Sequence, residues 1–260
     1  MRVLVILLSS MVLGGCAVFP AVPPTPPLGD RQAAEIVSRI REEESKVVSF
    51  YGRGNLLVKE WTWEADSDLL VVGAREPWKV KIEVTHRWGQ PILHVLMDRR
   101  RLEVLFFPES RLYVGDSTPE ALSRFFPGPL STDLVWAVLR GYPAIVPHEK
   151  VFSPHGRRIV LRKPGEGEGE IIDLDHTGLH PARVELPDQH VLLTFSDIRE
   201  SGGIHYARVV RVDHEEDNRT LTLTTERMVF NRAIPAEIFR IEKPPGFSVH
   251  YLNTPDPGRP

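Results

Sequence analysis

Lys79-Val80-Lys81-Ile82-Glu83-Val84-Thr85 alternates charged or polar with apolar residues without a break. Successive side chains of a strand point to opposite faces. A period of two therefore sets Val80, Ile82 and Val84 on one face and Lys79, Lys81 and Glu83 on the other. Such a strand belongs in an antiparallel sheet with one face buried and one in water. Reading outward, the period persists. Upstream, Phe50 to Lys59 and Thr62 to Gly73 form a hairpin around Lys59-Glu60-Trp61. Downstream, Ile92 to Met97, Leu102 to Phe107 and Arg111 to Val114 continue a meander. Its turns are Asp98-Arg99-Arg100-Arg101 and Pro108-Glu109-Ser110. The arginine run reads as a solvated turn, with contact to acidic headgroups as the alternative.

The meander is bracketed by helical signals. Asp30 suits an N-cap, and Ala33, Ile36, Val37, Ile40, Val47 and Val48 share a face, which predicts a helix over about 30–47. After the meander Thr118 can cap and Pro119 suits the first helical position, with Leu122, Phe125 and Phe126 on one face. Past Pro127-Gly128-Pro129, residues Ser131 to Asp133 can cap a second helix. That helix carries Leu134, Val135, Val138 and Leu139, and Gly141 and Pro143 stop it. Strands resume at about 149–153, 157–163, 169–174, 180–187 and 190–197, then at Ile204 to Asp213, Arg219 to Val229 and Glu237 to Ile241. Many short, evenly spaced strands and few helices predict a mainly β chain, an incomplete antiparallel β-barrel or half-barrel. Its helices plug the concave apolar face. Val80, Ile82, Val84, Leu134, Val135 and Val138 are the candidate lining of an interior that could take acyl chains. The same residues also suit a filled core.

The N-terminus carries a different signal. Met1-Arg2 precedes an apolar run from Val3 to Val12, the length of a signal-peptide core and too short to span a bilayer. Leu13-Gly14-Gly15-Cys16 follows, and Cys16 is the sole cysteine of the 260 residues. A lone cysteine makes no internal disulfide. The stretch resembles a bacterial lipobox, in which the thiol is diacylated and the cysteine becomes residue one. The other reading is an ordinary signal peptide with an incidental cysteine. Acyl chains anchor firmly, since each buried methylene contributes about 0.8 kcal/mol. By resemblance to Gram-negative lipoproteins, Ala17 after the cysteine implies sorting to the outer membrane, with the domain facing the periplasm. Phe19 to Pro27 is proline-rich and favours a semi-rigid stalk of roughly 20–30 Å. The expected organisation is a signal peptide over 1–15, a lipidated tether over 16–29, a lipid-binding domain over 30–243 and an irregular proline-rich tail over 244–260.

Catalytic motifs are absent: no Gly-x-Ser-x-Gly, HExxH, CxxC or P-loop occurs. His214-Glu215-Glu216-Asp217-Asn218 is rich in oxygen ligands but lacks a ligand-spaced pattern and reads as a hairpin tip. A net charge of -3 and no basic stripe give no handle on nucleic acid. The chain is therefore not expected to be an enzyme or to hold a metal.

Residues 45–198 resemble the LolA/LolB-like periplasmic lipoprotein carriers, and the outer-membrane receptor LolB in particular. The resemblance rests on the alternating strand Val80 to Thr85, the loop His86-Arg87-Trp88-Gly89-Gln90-Pro91, and two helices joined by a Phe-Pro-Gly-Pro-Leu-Ser turn. It includes Leu134-Val135-Trp136-Ala137-Val138-Leu139-Arg140-Gly141-Tyr142-Pro143 and the later His180-Pro181-Ala182-Arg183-Val184-Glu185-Leu186. It implies a half-barrel plugged by helices, an apolar cavity for the acyl chains of a lipoprotein in transit, a soluble LolA-like carrier as partner, and no cofactor. Carriage of another lipid, or a non-transport interaction module, are the alternatives. After Arg199 the chain departs from LolB, and Phe239 to Phe247 looks more like the LolA side. Trp88 lies between polar neighbours in a tight loop. It either folds back on the barrel rim or protrudes, and tryptophan favours the membrane interface. The corresponding LolB loop carries an exposed apolar residue, which implies a membrane-inserting role for Trp88.

Overall fold

The computed structural model describes residues 26–165 and 168–252. Cys16, most of the expected tether and the last eight residues lie outside them. Helix α1 (Asp30–Ser45) leads into six strands: β1 (Ser49–Glu60), β2 (Trp63–Arg75), β3 (Trp78–His86), β4 (Pro91–Asp98), β5 (Arg101–Phe106) and β6 (Arg111–Asp116). Helices α2 (Pro119–Leu122) and α3 (Thr132–Arg140) follow. The chain then forms β7 (Lys150–His155), β8 (Arg158–Arg162), β9 (Glu168–Leu174), β10 (Pro181–Leu186), β11 (Val191–Ser201), β12 (Ile204–His214), β13 (Arg219–Phe230) and β14 (Ser248–Tyr251).

All fourteen strands join one open sheet, ordered β14-β6-β5-β4-β3-β2-β1-β13-β12-β11-β10-β9-β8-β7. This agrees with the expected mainly β, incomplete barrel. One non-local step explains the plug. β6 lies beside one edge of the sheet and β7 is the opposite edge, so residues 117–149 must cross its whole width. They cross on the apolar face and carry α2 and α3 over it. The second half of the meander then walks back until β13 pairs with β1, from Phe50 opposite Phe230 to Lys59 opposite Thr220. The ladder shifts register between Arg53 and Gly54. A Cβ on Gly54 would fall 2.1 Å from the Thr224 carbonyl oxygen, so only glycine permits this approach.

Three expectations are corrected. α1 begins one residue earlier than the Asp30 cap implies. Gly29 is the N-cap, its N–H donating to Gln32 Oε1 at 3.2 Å, and Asp30 lies in the first turn, where its charge complements the helix dipole. Glu237 to Ile241 is not a strand: Ala236–Ile238 is one turn of 3-10 helix, bounded by Pro235 and then by Pro244-Pro245. Proline supplies no ladder donor, so this segment cannot propagate pairing. The tail is not wholly irregular, because Ser248–Tyr251 pairs in parallel with β6. That pairing covers one edge of the sheet, and α1 packs against β7 at the other.

Candidate functional site

The interior is built from the alternating strands. Val80, Ile82 and Val84 are all buried, as are Leu69 and Val71 of β2, Val95 and Met97 of β4, and Leu102 and Val104 of β5. Facing them are Leu134, Val135 and Val138 of α3, also buried, so all six predicted lining residues belong to one apolar core. Packing leaves a void that admits the centre of a water-sized sphere over about 30 Å³. Ile82 borders it from the sheet with Leu56, Leu69 and Leu221, Val135 and Val138 border it from α3, and every residue around it is apolar. Val80, Val84 and Leu134 pack within the same core but do not border the void. A void of this size suits about one water, whereas dry cavities that take benzene are about 150 Å³. In this conformation the interior is closed, and an acyl chain enters only if its wall moves.

That wall is the segment after α2. Thr118 caps α2 by accepting from the Ala121 N–H at 3.2 Å, and the Phe126 N–H donates to the Leu122 carbonyl at 2.9 Å. Pro127 touches the void on one side and an outer cleft on the other; Leu221 of β13 does the same. The cleft, about 380 Å³, is lined by Val58, Leu93, Phe106, Tyr113 and Phe125, with Glu60, Glu109, Arg124 and Arg219 among its polar groups. It is an amphipathic vestibule against the wall of an apolar interior. Arg219 spans the boundary. Its Nε donates to Glu60 Oε1 at 2.8 Å, and one terminal nitrogen donates to the carbonyls of Ser123 and Phe126 at 3.4 and 3.5 Å.

The two plug helices are held differently. α3 is capped by Ser131 and closed by Gly141 at φ 78°, where a Cβ would meet the Ala207 carbonyl oxygen at 2.7 Å. Arg140 is fully buried, donates to the carbonyls of Glu43 and His205 at 2.7 and 3.1 Å, and stacks on Tyr142. Burial lowers its pKa to about 10, which leaves it charged at neutral pH. Trp136 packs edge-on against Phe50 with centroids 4.8 Å apart, in space that Gly73 leaves open. α3 is thus the fixed plug. α2 and Phe125 to Pro127 are packed as well, with Leu122 and Phe126 in the core, but the arginine that ties them to β13 does so through long hydrogen bonds to the Ser123 and Phe126 carbonyls.

Trp88 projects from the β3–β4 turn, 72% exposed, with one face stacked on His86 at 4.3 Å. Gly89 at φ 87° makes the turn. Glu60 and Arg219 were not legible as site residues. They are 159 positions apart and are joined only because β1 lies beside β13. No metal-ligand cluster occurs among the described residues.

No family model matches the sequence, and no curated protein matches it. Solved structures do. An outer-membrane lipoprotein-sorting protein domain, so assigned, from Vibrio parahaemolyticus superposes with a TM-score of 0.51 at 11% identity, over 81% of this chain and 97% of its own. The fold is LolA-like. A LolA superfamily protein from Nitrosomonas europaea agrees, with a TM-score of 0.50 at 13% identity over 78% and 97% of the two chains. So does a DUF1329 family protein from Desulfovibrio piger, at 0.54 and 11% over 83% and 98%. In each case the superposition covers nearly all of the solved chain.

Proposed function

We propose that this protein is a lipid-anchored envelope protein that takes acyl chains into its apolar interior and receives or inserts lipoproteins at the outer membrane, as LolB does. The observation that carries this reading is the pairing of a wholly apolar interior with an amphipathic cleft across a thin wall, Pro127 and Leu221 bordering both. The LolA-like fold supports it, as does the lipobox at Cys16. Acyl chains would enter by displacement of Phe125 to Pro127, with the headgroup end of the cargo left among the charged groups of the cleft. The chemistry is binding and release, with no covalent step.

A second reading, a lipidated interaction module, is favoured by the small size of the void. Mass spectrometry of lipid extracts from the purified protein separates the two. Co-purifying acyl-bearing molecules support transport, and an empty protein that takes up no palmitate sinks it. Depleting the protein in cells is expected to leave other lipoproteins at the inner membrane.

Three variants probe the parts. Cys16→Ala removes the only thiol and is expected to abolish labelling by radioactive palmitate; retained label would refute the lipobox. Arg219→Leu removes the long hydrogen bonds to the α2 segment. It is expected to cost about 1 kcal/mol or less, since the ion pair with Glu60 is partly exposed. It should also speed amide hydrogen exchange over residues 121–126 and quicken uptake of a fluorescent fatty acid. Unchanged exchange there would show that Arg219 does not hold the wall. Trp88→Glu is expected to fold and bind lipid normally but to deliver it to liposomes at a clearly lower rate. Normal transfer would reduce the loop to a connection.

A further inference from the structure

Three of the five tryptophans are exposed: Trp61 at 82%, Trp63 at 47% and Trp88 at 72%. Trp61 lies in the β1–β2 turn, Trp63 opens β2 beside it, and Trp88 lies in the β3–β4 turn. β1, β2, β3 and β4 are consecutive and antiparallel, so both turns lie at the same end of the sheet. They are two strands apart, about 10 Å at ordinary strand spacing. The β2–β3 ladder ends at Ser67 opposite His86, yet β1–β2 pairing continues to Glu60 opposite Trp63. The β1–β2 hairpin therefore runs about four residues, roughly 13 Å, past the last β2–β3 pair. One exposed indole would be ordinary, but three of them, Trp61, Trp63 and Trp88, gathered at one end of the sheet point to a contact surface.

We infer that the β1–β2 hairpin tip, through Trp61 and Trp63, is a second bilayer-contact element that docks on the lipid–water interface beside Trp88. The partner is a lipid surface because the features are isolated, projecting rings on separate tips. A protein partner of stable affinity would need a continuous complementary face. An indole suits the interface, where its ring is buried and its N–H stays satisfied. Trp63 already donates its N–H to Glu60 at 2.8 Å. The acidic groups on the tip itself are paired: Lys59 with Glu64, Arg219 with Glu60, and Arg87 with Asp66. The neighbouring β12–β13 turn, Glu215 to Asn218, lies at the same end and is acidic, so the tip suits a zwitterionic lipid surface better than an anionic one. Trp63 also lines the outer cleft, so docking through this tip sets the mouth of the cleft against the bilayer. This inference rests on the transport reading for its purpose, but not for its test.

The test uses the full chain, exported and purified from cells, with vesicles of phosphatidylcholine whose acyl chains are brominated or plain. Trp78 and Trp136 are buried, and a Trp61→Ser, Trp63→Ser, Trp88→Phe protein that keeps only these two measures any quenching by lipid taken into the interior, which is subtracted. In a Trp88→Phe variant, brominated vesicles are expected to remove at least about a quarter of the emission, the share of one tryptophan among the four remaining. Adding Trp61→Ser and Trp63→Ser together should abolish most of that quenching. Equal emission in brominated and plain vesicles overturns the inference. So does quenching that the paired Trp61→Ser and Trp63→Ser substitutions leave intact, or a blue shift of Trp61 that arises only with added periplasmic protein. Acyl-chain binding is measured separately, on vesicle-free protein by mass spectrometry. Bound lipid without quenching would therefore remove the docking tip and leave the transport reading standing.

Discussion

Ile82→Asp is expected to unfold the domain or to leave it several kcal/mol less stable, with no acyl binding in whatever folds. Ile82 is 3% exposed at the centre of β3, and no polar residue borders the void beside it. The substitution removes the transfer energy of a buried isoleucine, about 2–3 kcal/mol, and places a carboxylate where nothing can pair with it. A buried charge without a partner adds several kcal/mol more, or stays protonated at a similar cost. Ile82→Ala separates packing from charge. It should cost about 2–4 kcal/mol, yet enlarge the void and retain or improve uptake of a small apolar probe. Urea denaturation and fatty-acid binding on both variants check this. Wild-type stability for Ile82→Asp would mean that the apolar face of β3 has been misplaced.

Glu170 in β9 should make stability fall as pH rises. Its side chain is fully buried, with Oε2 accepting the Val146 N–H at 2.9 Å. Burial raises its pKa to about 7, an effect only partly offset by that hydrogen bond and by the nearby charge of Arg41. Unfolded, the group titrates near 4.5. Between about pH 4.5 and 7 the folded state holds a proton that the unfolded state has lost, so stability declines through this window. The penalty is complete above about pH 7. Its full size is on the order of 3 kcal/mol. Glu170→Gln should flatten the profile and be more stable than wild type at pH 8 by about 1–3 kcal/mol, because an amide carries no charge to desolvate but leaves the two N–H donors of its NH2 to satisfy where Oε1 has no partner. Denaturation midpoints at pH 5, 6, 7 and 8 report it. Parallel profiles for the two proteins would assign the pH dependence to other groups.

The sequence by itself determined the alternation at Val80, Ile82 and Val84, the meander around it, the caps at Thr118 and Ser131 and the stop at Gly141. Each of these follows from residues a few positions apart, where sterics and local hydrogen bonding decide the backbone. The same locality made Leu134, Val135 and Val138 legible as one helical face. It failed at Glu237 to Ile241, a short stretch between Pro235 and Pro244-Pro245 that turns as a 3-10 helix at Ala236–Ile238 and takes no place in the sheet. It failed again at Ser248–Tyr251, where pairing depended on an edge supplied by β6. Only the tertiary structure decided that the interior is closed. Periodicity reports which face is apolar but not how much volume the opposing side chains fill. Only the structure, likewise, brought Arg219 to Glu60 and to the carbonyls of Ser123 and Phe126, and set Trp61 and Trp63 at the same end of the sheet as Trp88. Those relations depend on strand order, and strand order is settled by which long-range pairings bury the most apolar surface once the whole chain has collapsed.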